Sequence, residues 1–195
     1  MALQRFKVDK YGQLELNNVF FRREGAIEAQ CALDPEDFAL EGQEGVDGKV
    51  YAENGMILAV DKANGKVKFP DGGVYPLALH YSTEHMYDER KKNLGSWYLP
   101  AGTFYPRMGY LQRGEIFTTN CLCYDTDEFA DDKALTDALA GSIEGLYGIP
   151  SEIGAIKITR NPGDATKTRV VLNVAKYYTM PNGTPGIKFQ VALAV

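Results

Sequence analysis

The chain has 195 residues, 45% of them hydrophobic and 24% charged, with a net charge of −5 and a pI of about 5.1. That length allows one sizeable domain or two small ones, with a core that needs no metal or disulfide to hold it. The acidic balance argues against a general nucleic-acid binder, and the lack of any apolar run of about 18 residues argues against a membrane-spanning helix.

Residues 1–24 alternate loosely, with Phe6, Val8, Leu14, Leu16, Val19 and Phe20 around a Tyr11-Gly12 turn. They predict an extended N-terminal arm with one or two short strands, either docked on a sheet edge or reaching a neighbour. The opening stretch MALQRFKVDKYGQLEL has no continuous apolar core, so it does not read as a signal peptide. The three cysteines are Cys31, Cys121 and Cys123; an odd count without a secretory signal points to a reducing cytoplasm rather than a disulfide framework.

Residues 26–33 predict a strand with Ile27, Ala29, Cys31 and Leu33 on one face and Glu28 and Gln30 on the other. Pro35 ends it, and residues 38–48 form a Gly- and acid-rich surface loop. A β-meander follows: a turn at residues 53–55, an apolar run at 56–61, a hairpin turn through Asn64-Gly65, and a strand at 66–69. Residues 74–81 are a further extended segment, with Pro76 marking a sheet edge. Residues 82–93 are strongly charged and fit either a short helix or a polar loop.

After an aromatic stretch at 96–125, residues 126–147 carry the best helical pattern. Phe129, Leu135, Leu139, Ile143 and Leu146 fall near one face, giving one main helix near residues 129–146. Asp131 and Asp132 suit its N-terminus, and Pro150 stops continuation. Strands are predicted at 153–160, 168–179 and 187–195, the last with strict alternation of Ile187, Phe189, Val191, Leu193 and Val195. These three would form an antiparallel meander. The fold class is β-rich α+β, with antiparallel strands and hairpins in a barrel or sandwich-like arrangement. With no repeat, linker or composition break, residues 1–195 read as a single domain.

The residues that carry chemistry elsewhere lack their partners here. His80 and His85 are spaced H-x4-H, whereas helical zinc pairs use H-E-x-x-H and a site needs three or four ligands. Cys121-Leu122-Cys123 puts two thiols on one side of a strand, without a second cysteine pair. A cysteine nucleophile needs a histidine base within reach, and neither His80 nor His85 lies in a recognisable context. No G-x-S-x-G, P-loop or G-x-G-x-x-G run is present. The expectation is no enzyme, no catalytic residue, no cofactor and no metal. Lys91, Lys92, Arg107 and Arg113 bracket Trp97, Tyr98, Phe104, Tyr105 and Tyr110. Such a mixture fits single-stranded nucleic acid or a protein contact, and the acidic chain favours the second. The candidate contact residues are Trp97, Tyr98, Phe104, Tyr105, Arg107, Tyr110 and Arg113; packing of the same rings in the core is the alternative.

Two passages carry a resemblance. NVFFRREGAIEAQCALD, residues 18–34, resembles a run of arginine, glycine, small apolar strand and Leu-Asp found in small structural proteins of tailed bacteriophages. YPRMGYLQRGEIFTTN, residues 105–120, resembles the Pro-Arg, Gly-acid and Thr-Thr-Asn pattern of the same group, with Gly114-Glu115 where Gly-Asp is commoner. Together they cover about a third of the chain. The resemblance implies a virion protein made in the bacterial host cytoplasm, with a capsid decoration or head auxiliary role. It implies contact with the major capsid protein or other virion proteins and homo-oligomers, trimers above all. No nucleic-acid or membrane partner is expected. A tail, baseplate or connector protein is the alternative in the same class, and a cytoplasmic small-molecule-binding β-barrel or small enzyme the alternative outside it.

Overall fold

The computed structural model describes residues 2–6, 11–19, 21, 23–82, 97–102, 105–163, 169–180 and 183–194. Fourteen strands among these form two mixed sheets. The larger runs in the order β1 (Leu3–Phe6), β10 (Leu122–Asp125), β12 (Ile156–Thr159), β11 (Tyr147–Pro150), β13 (Val170–Thr179), β14 (Pro185–Ala194), β9 (Ile116–Thr119) and β2 (Leu14–Glu15). The smaller runs β3 (Ile27–Glu28), β8 (Met108–Gly109), β7 (Leu77–His80), β5 (Ile57–Asp61), β6 (Lys66–Lys68) and β4 (Ala32–Leu33).

The larger sheet must curl. Strands β10 and β9 hold its second and seventh places, yet only Asn120 and Cys121 separate them in the chain. In a flat sheet those places would lie roughly 24 Å apart, at about 4.8 Å per strand. The three Cα steps from Thr119 to Leu122 span at most about 11 Å. The sheet therefore rolls up in a barrel-like way. Its edge strands, β1 on β10 and β2 on β9, approach each other beside Asn120. There Gln13 N donates to Asn120 Oδ1 at 2.6 Å and Asn120 N to Gln13 O at 3.3 Å.

The inside of the curl is the first core, with Phe117, Leu122, Tyr124, Ile156, Leu172 and Phe189 fully buried. Each such side chain contributes roughly 1.5–3 kcal/mol. Helix α1 (Asp132–Gly141) adds Leu135 and Leu139 to it, four residues apart on one face. Asp131 caps α1, its Oδ1 accepting from Ala134 N at 2.7 Å. The smaller sheet lies between two cores. Ile57 and Leu79 face the first; Leu58, Val60 and Ala78 face a second, which also holds Met108, Trp97, Cys121 and Cys123. Strand β5 is buried on both faces, as its unbroken apolar run requires. Ile57 N donates to Gly154 O at 2.9 Å and stitches the sheets together.

Several sequence expectations need correction. The helix spans 132–141, not 129–146: Ser142 is its C-cap, Gly145 turns the chain at φ 75°, and Leu146 leads into β11. Leu146 is buried all the same, so its apolar spacing reflects the core and not a longer helix. The strand at 26–33 is two short strands, and Ile27 (48% exposed) and Ala29 do not share the buried side of Cys31 and Leu33. The last three strands are not a meander. β13 and β14 form a hairpin, but β12 pairs antiparallel with β11 and parallel with β10. A second parallel pair joins β4 to β6, so the pairing is not purely antiparallel. Residues 3–6 and 14–15 lie in strands at the two edges of the larger sheet, so these parts of the N-terminal segment belong to the body. The helix-or-loop segment at 83–93, with His85, Lys91 and Lys92, lies outside the described residues, as does Phe104.

Candidate contact surface

Four segments distant in sequence meet in a polar cluster at the second core. Arg5, on β1, donates through Nη2 to Glu53 Oε2 at 2.7 Å and through Nη1 to Cys121 Sγ at 3.2 Å. The same Glu53 oxygen accepts from Gly12 N. Gly12 is required by space: a Cβ there would sit 2.6 Å from Cys121 Cβ and 2.8 Å from Asn54 O. Gly55 has φ 90°, and a Cβ on it would run into Thr119 Oγ1.

His80 closes the cluster. Its Nδ1 lies 2.8 Å from Glu53 O and its Nε2 2.9 Å from Ser82 Oγ. A carbonyl oxygen only accepts, so Nδ1 carries the proton and Nε2 accepts from the Ser82 hydroxyl. Ser82 Oγ in turn accepts from Arg107 N at 2.9 Å. The Trp97 ring packs 5.7 Å from the imidazole. Complete burial pushes the His80 pKa down to about 4, against the carbonyl contact that favours the proton. Burial pushes Cys121 up to about 12 although Arg5 opposes it, and Cys123 up to about 11. At neutral pH this is a neutral imidazole beside buried thiols. A nucleophilic cysteine needs the opposite: a thiolate in a partly exposed, electropositive setting. Among the described residues no three His, Cys, Asp or Glu side chains converge as a metal set.

The cluster positions what lies above it. Next to Gly12 and Trp97 in the chain, Tyr11 is buried and Tyr98 half-buried, and with Tyr51 and Ala39 they form a small third cluster. There Tyr51 and Tyr98 stack at 4.3 Å and 14°, with Tyr11 5.1 Å from Tyr98. The three hydroxyls pin one loop: Tyr11 Oη donates to Glu44 at 2.8 Å, Tyr98 Oη donates to Glu41 at 2.9 Å, and Tyr51 Oη accepts from Gly42 N at 2.8 Å. The bond to Glu41, with partial burial, raises the Tyr98 pKa to about 12. The loop exposes Leu40 (39%), Val46 (53%) and Val50 (37%). Ala39 N donates to Val50 O at 2.9 Å, pairing Val50 with Phe38 in a parallel bridge, while Leu40 pairs with Ala101. Glu36, Asp37, Glu41, Glu44 and Asp47 accompany them, against one base, Lys49.

The described residues expected at a contact stand at different depths. Trp97 is buried at 4% exposure, in the second core. Tyr98 is half-buried against the loop, and Tyr105 is 56% exposed. Arg107 is half-buried with its N–H on Ser82. Tyr110 packs partly against the second core, with Lys62 Nζ 5.1 Å from its ring centre. Arg113 is exposed in the turn before β9. Sequence reasoning passed over Tyr11, Tyr51 and the apolar side chains of the loop; the one available signal was branched apolar residues inside an acid- and Gly-rich stretch. The passages at 18–34 and 105–120 are neighbours in the fold. β3 pairs with β8, Asn18 N donates to Ile116 O, and Gly109 leaves room for the Phe21 ring. No helix among the described residues is long and apolar enough to cross a membrane. No family model, curated protein or solved structure matches the chain.

Proposed function

We propose that the chain is a non-enzymatic structural protein of a phage virion, a capsid decoration or head auxiliary protein that binds the major capsid protein and sister copies. The observation that carries this reading is the tyrosine-pinned loop presenting Leu40, Val46 and Val50. Ordering a binding segment before association lowers the entropic cost of docking. The pairing of the two phage-like passages through β3 and β8 supports it, since the resemblance then covers one structural unit. So does the protonation of the cluster, which suits holding a surface in place and not turning over a substrate. Many weak contacts on a repeating shell add up through avidity.

The test is to probe purified virions for the chain by mass spectrometry and to mix purified protein with undecorated capsids in a sedimentation assay. Presence in heads and saturable binding to shells are expected. Recovery with separated tails would move the assignment to a tail, baseplate or connector protein. Absence from virions, with a protein that stays monomeric and ignores capsids, would sink it.

A further inference from the structure

The loop at residues 36–50 differs from the other exposed apolar positions. Ile27 and Val74 are single exposed side chains, whereas Leu40, Val46 and Val50 share one short segment. That segment is held from below by three tyrosine hydroxyl contacts and internally by Gln43 N to Leu40 O, Val46 N to Gln43 O and Gly45 N to Lys49 O. Its shape uses left-handed backbone at Gly45, Asp47 and Gly48. An apolar centre held rigid and exposed fits a docking element better than a solubilising loop.

Charge selects the occupant. Five carboxylates and one ammonium lie in this segment, so it is strongly acidic in a chain of net charge −5, with Asp37 also accepting from Phe69 N at 2.8 Å. Among the described residues, the cross-strand lysines Lys176 and Lys188 of a second copy flank Tyr178, whose hydroxyl donates to Glu15, so that face already holds its own carboxylate. We propose that this loop is the shell-binding element and that it docks on a capsid-protein surface with an apolar centre rimmed by Lys and Arg. This rests on the decoration-protein reading and names the chemistry of its partner.

The test uses the full chain and undecorated capsids. Glu41→Gln and Glu44→Gln keep an acceptor for each tyrosine while removing its charge, and Asp47→Asn suits the left-handed backbone there. In a triple variant, capsid affinity should fall about tenfold or more and its salt dependence should flatten. Leu40→Ser with Val46→Ser, both on the surface, should weaken binding at every salt concentration. Thermal melts of all variants should match wild type. Wild type that binds capsids while both variants bind equally well would overturn this inference and leave the decoration reading standing. Variants that lose capsid binding but also lose self-association would assign the loop to contacts between copies and overturn it too. Wild type that ignores capsids would overturn both.

Discussion

Arg5 Nη2 sits 2.7 Å from Glu53 Oε2, and this pair joins the first strand of the chain to the turn that leads into β5. Glu53 is mostly buried, while Arg5 keeps 27% of its side chain in solvent. The pair is therefore partly screened. The larger role of Glu53 is to accept from Gly12 N, a buried donor. Glu53→Ala removes both contacts and should cost about 3 kcal/mol. Glu53→Gln keeps an acceptor for Gly12 and should cost about half of that. Urea titrations at neutral pH measure the difference, and equal losses in the two variants would show that the ion pair dominates.

His80 makes stability pH-dependent. Its pKa is about 4 when folded, against 6.5 when unfolded, because burial disfavours the charged ring. Between those values the unfolded chain binds the extra proton. The contribution is fully present above pH 6.5 and is lost as pH falls toward 4, by about 3 kcal/mol. Protonation would also force Ser82 Oγ to stop donating to Nε2. Denaturation midpoints from pH 8 to pH 4 should fall in this window, and His80→Gln should flatten the fall. An unchanged slope in the variant would assign the effect to other groups.

The thiols carry the opposite sign. Burial raises Cys121 to about 12 and Cys123 to about 11, so protons leave the unfolded chain first as pH rises past about 9. Stability contributed below that pH should decline above it. Cys31, Cys121 and Cys123 are free and buried, so a thiol reagent at pH 8 should modify the native protein no faster than it unfolds. A fast-reacting native thiol would contradict the inert role given to the cluster.

Trp97 is the only tryptophan and lies against His80 in the second core. Its native emission should be blue-shifted and move red on unfolding. Trp97→Ala should cost about 3–5 kcal/mol through the cavity it leaves. Any loss of capsid binding in that variant would then follow its loss of fold. A variant that melts like wild type would place the ring at the surface.

What the sequence shows and hides follows from the range of the interactions. The β5–β6 hairpin, the capped start of α1 and the shared face of Cys121 and Cys123 rest on local spacing, and all are present. The end of α1 was hidden because Leu146 serves the same core from a strand approach. Alternation in β14 fails beyond Val191, where a register shift against β13 accompanies the packing of Ala194 against the first core. Strand order was hidden because β11 enters between β12 and β13, a pairing no local pattern encodes. The polar cluster was hidden for the same reason: Arg5 and Cys121 are 116 positions apart, and Arg5 and Glu53 48.

The pinning of the loop is testable apart from any partner. Tyr98→Phe and Tyr11→Phe keep the stacked rings and remove only the hydroxyls that donate to Glu41 and Glu44. Each lost contact is a charge-assisted hydrogen bond worth about 1–2 kcal/mol at a partly exposed site. Global stability should fall by no more than that. Amide exchange at Gly42, Gly45 and Val46 should rise about tenfold in the double variant, while exchange in β5 and β14 stays at the wild-type level. On the proposed docking role, capsid affinity should fall with it although neither hydroxyl need touch the partner, because the freed loop must then be ordered on binding. Unchanged exchange in the loop would mean that its own backbone hydrogen bonds hold it and that the tyrosines serve only to pack.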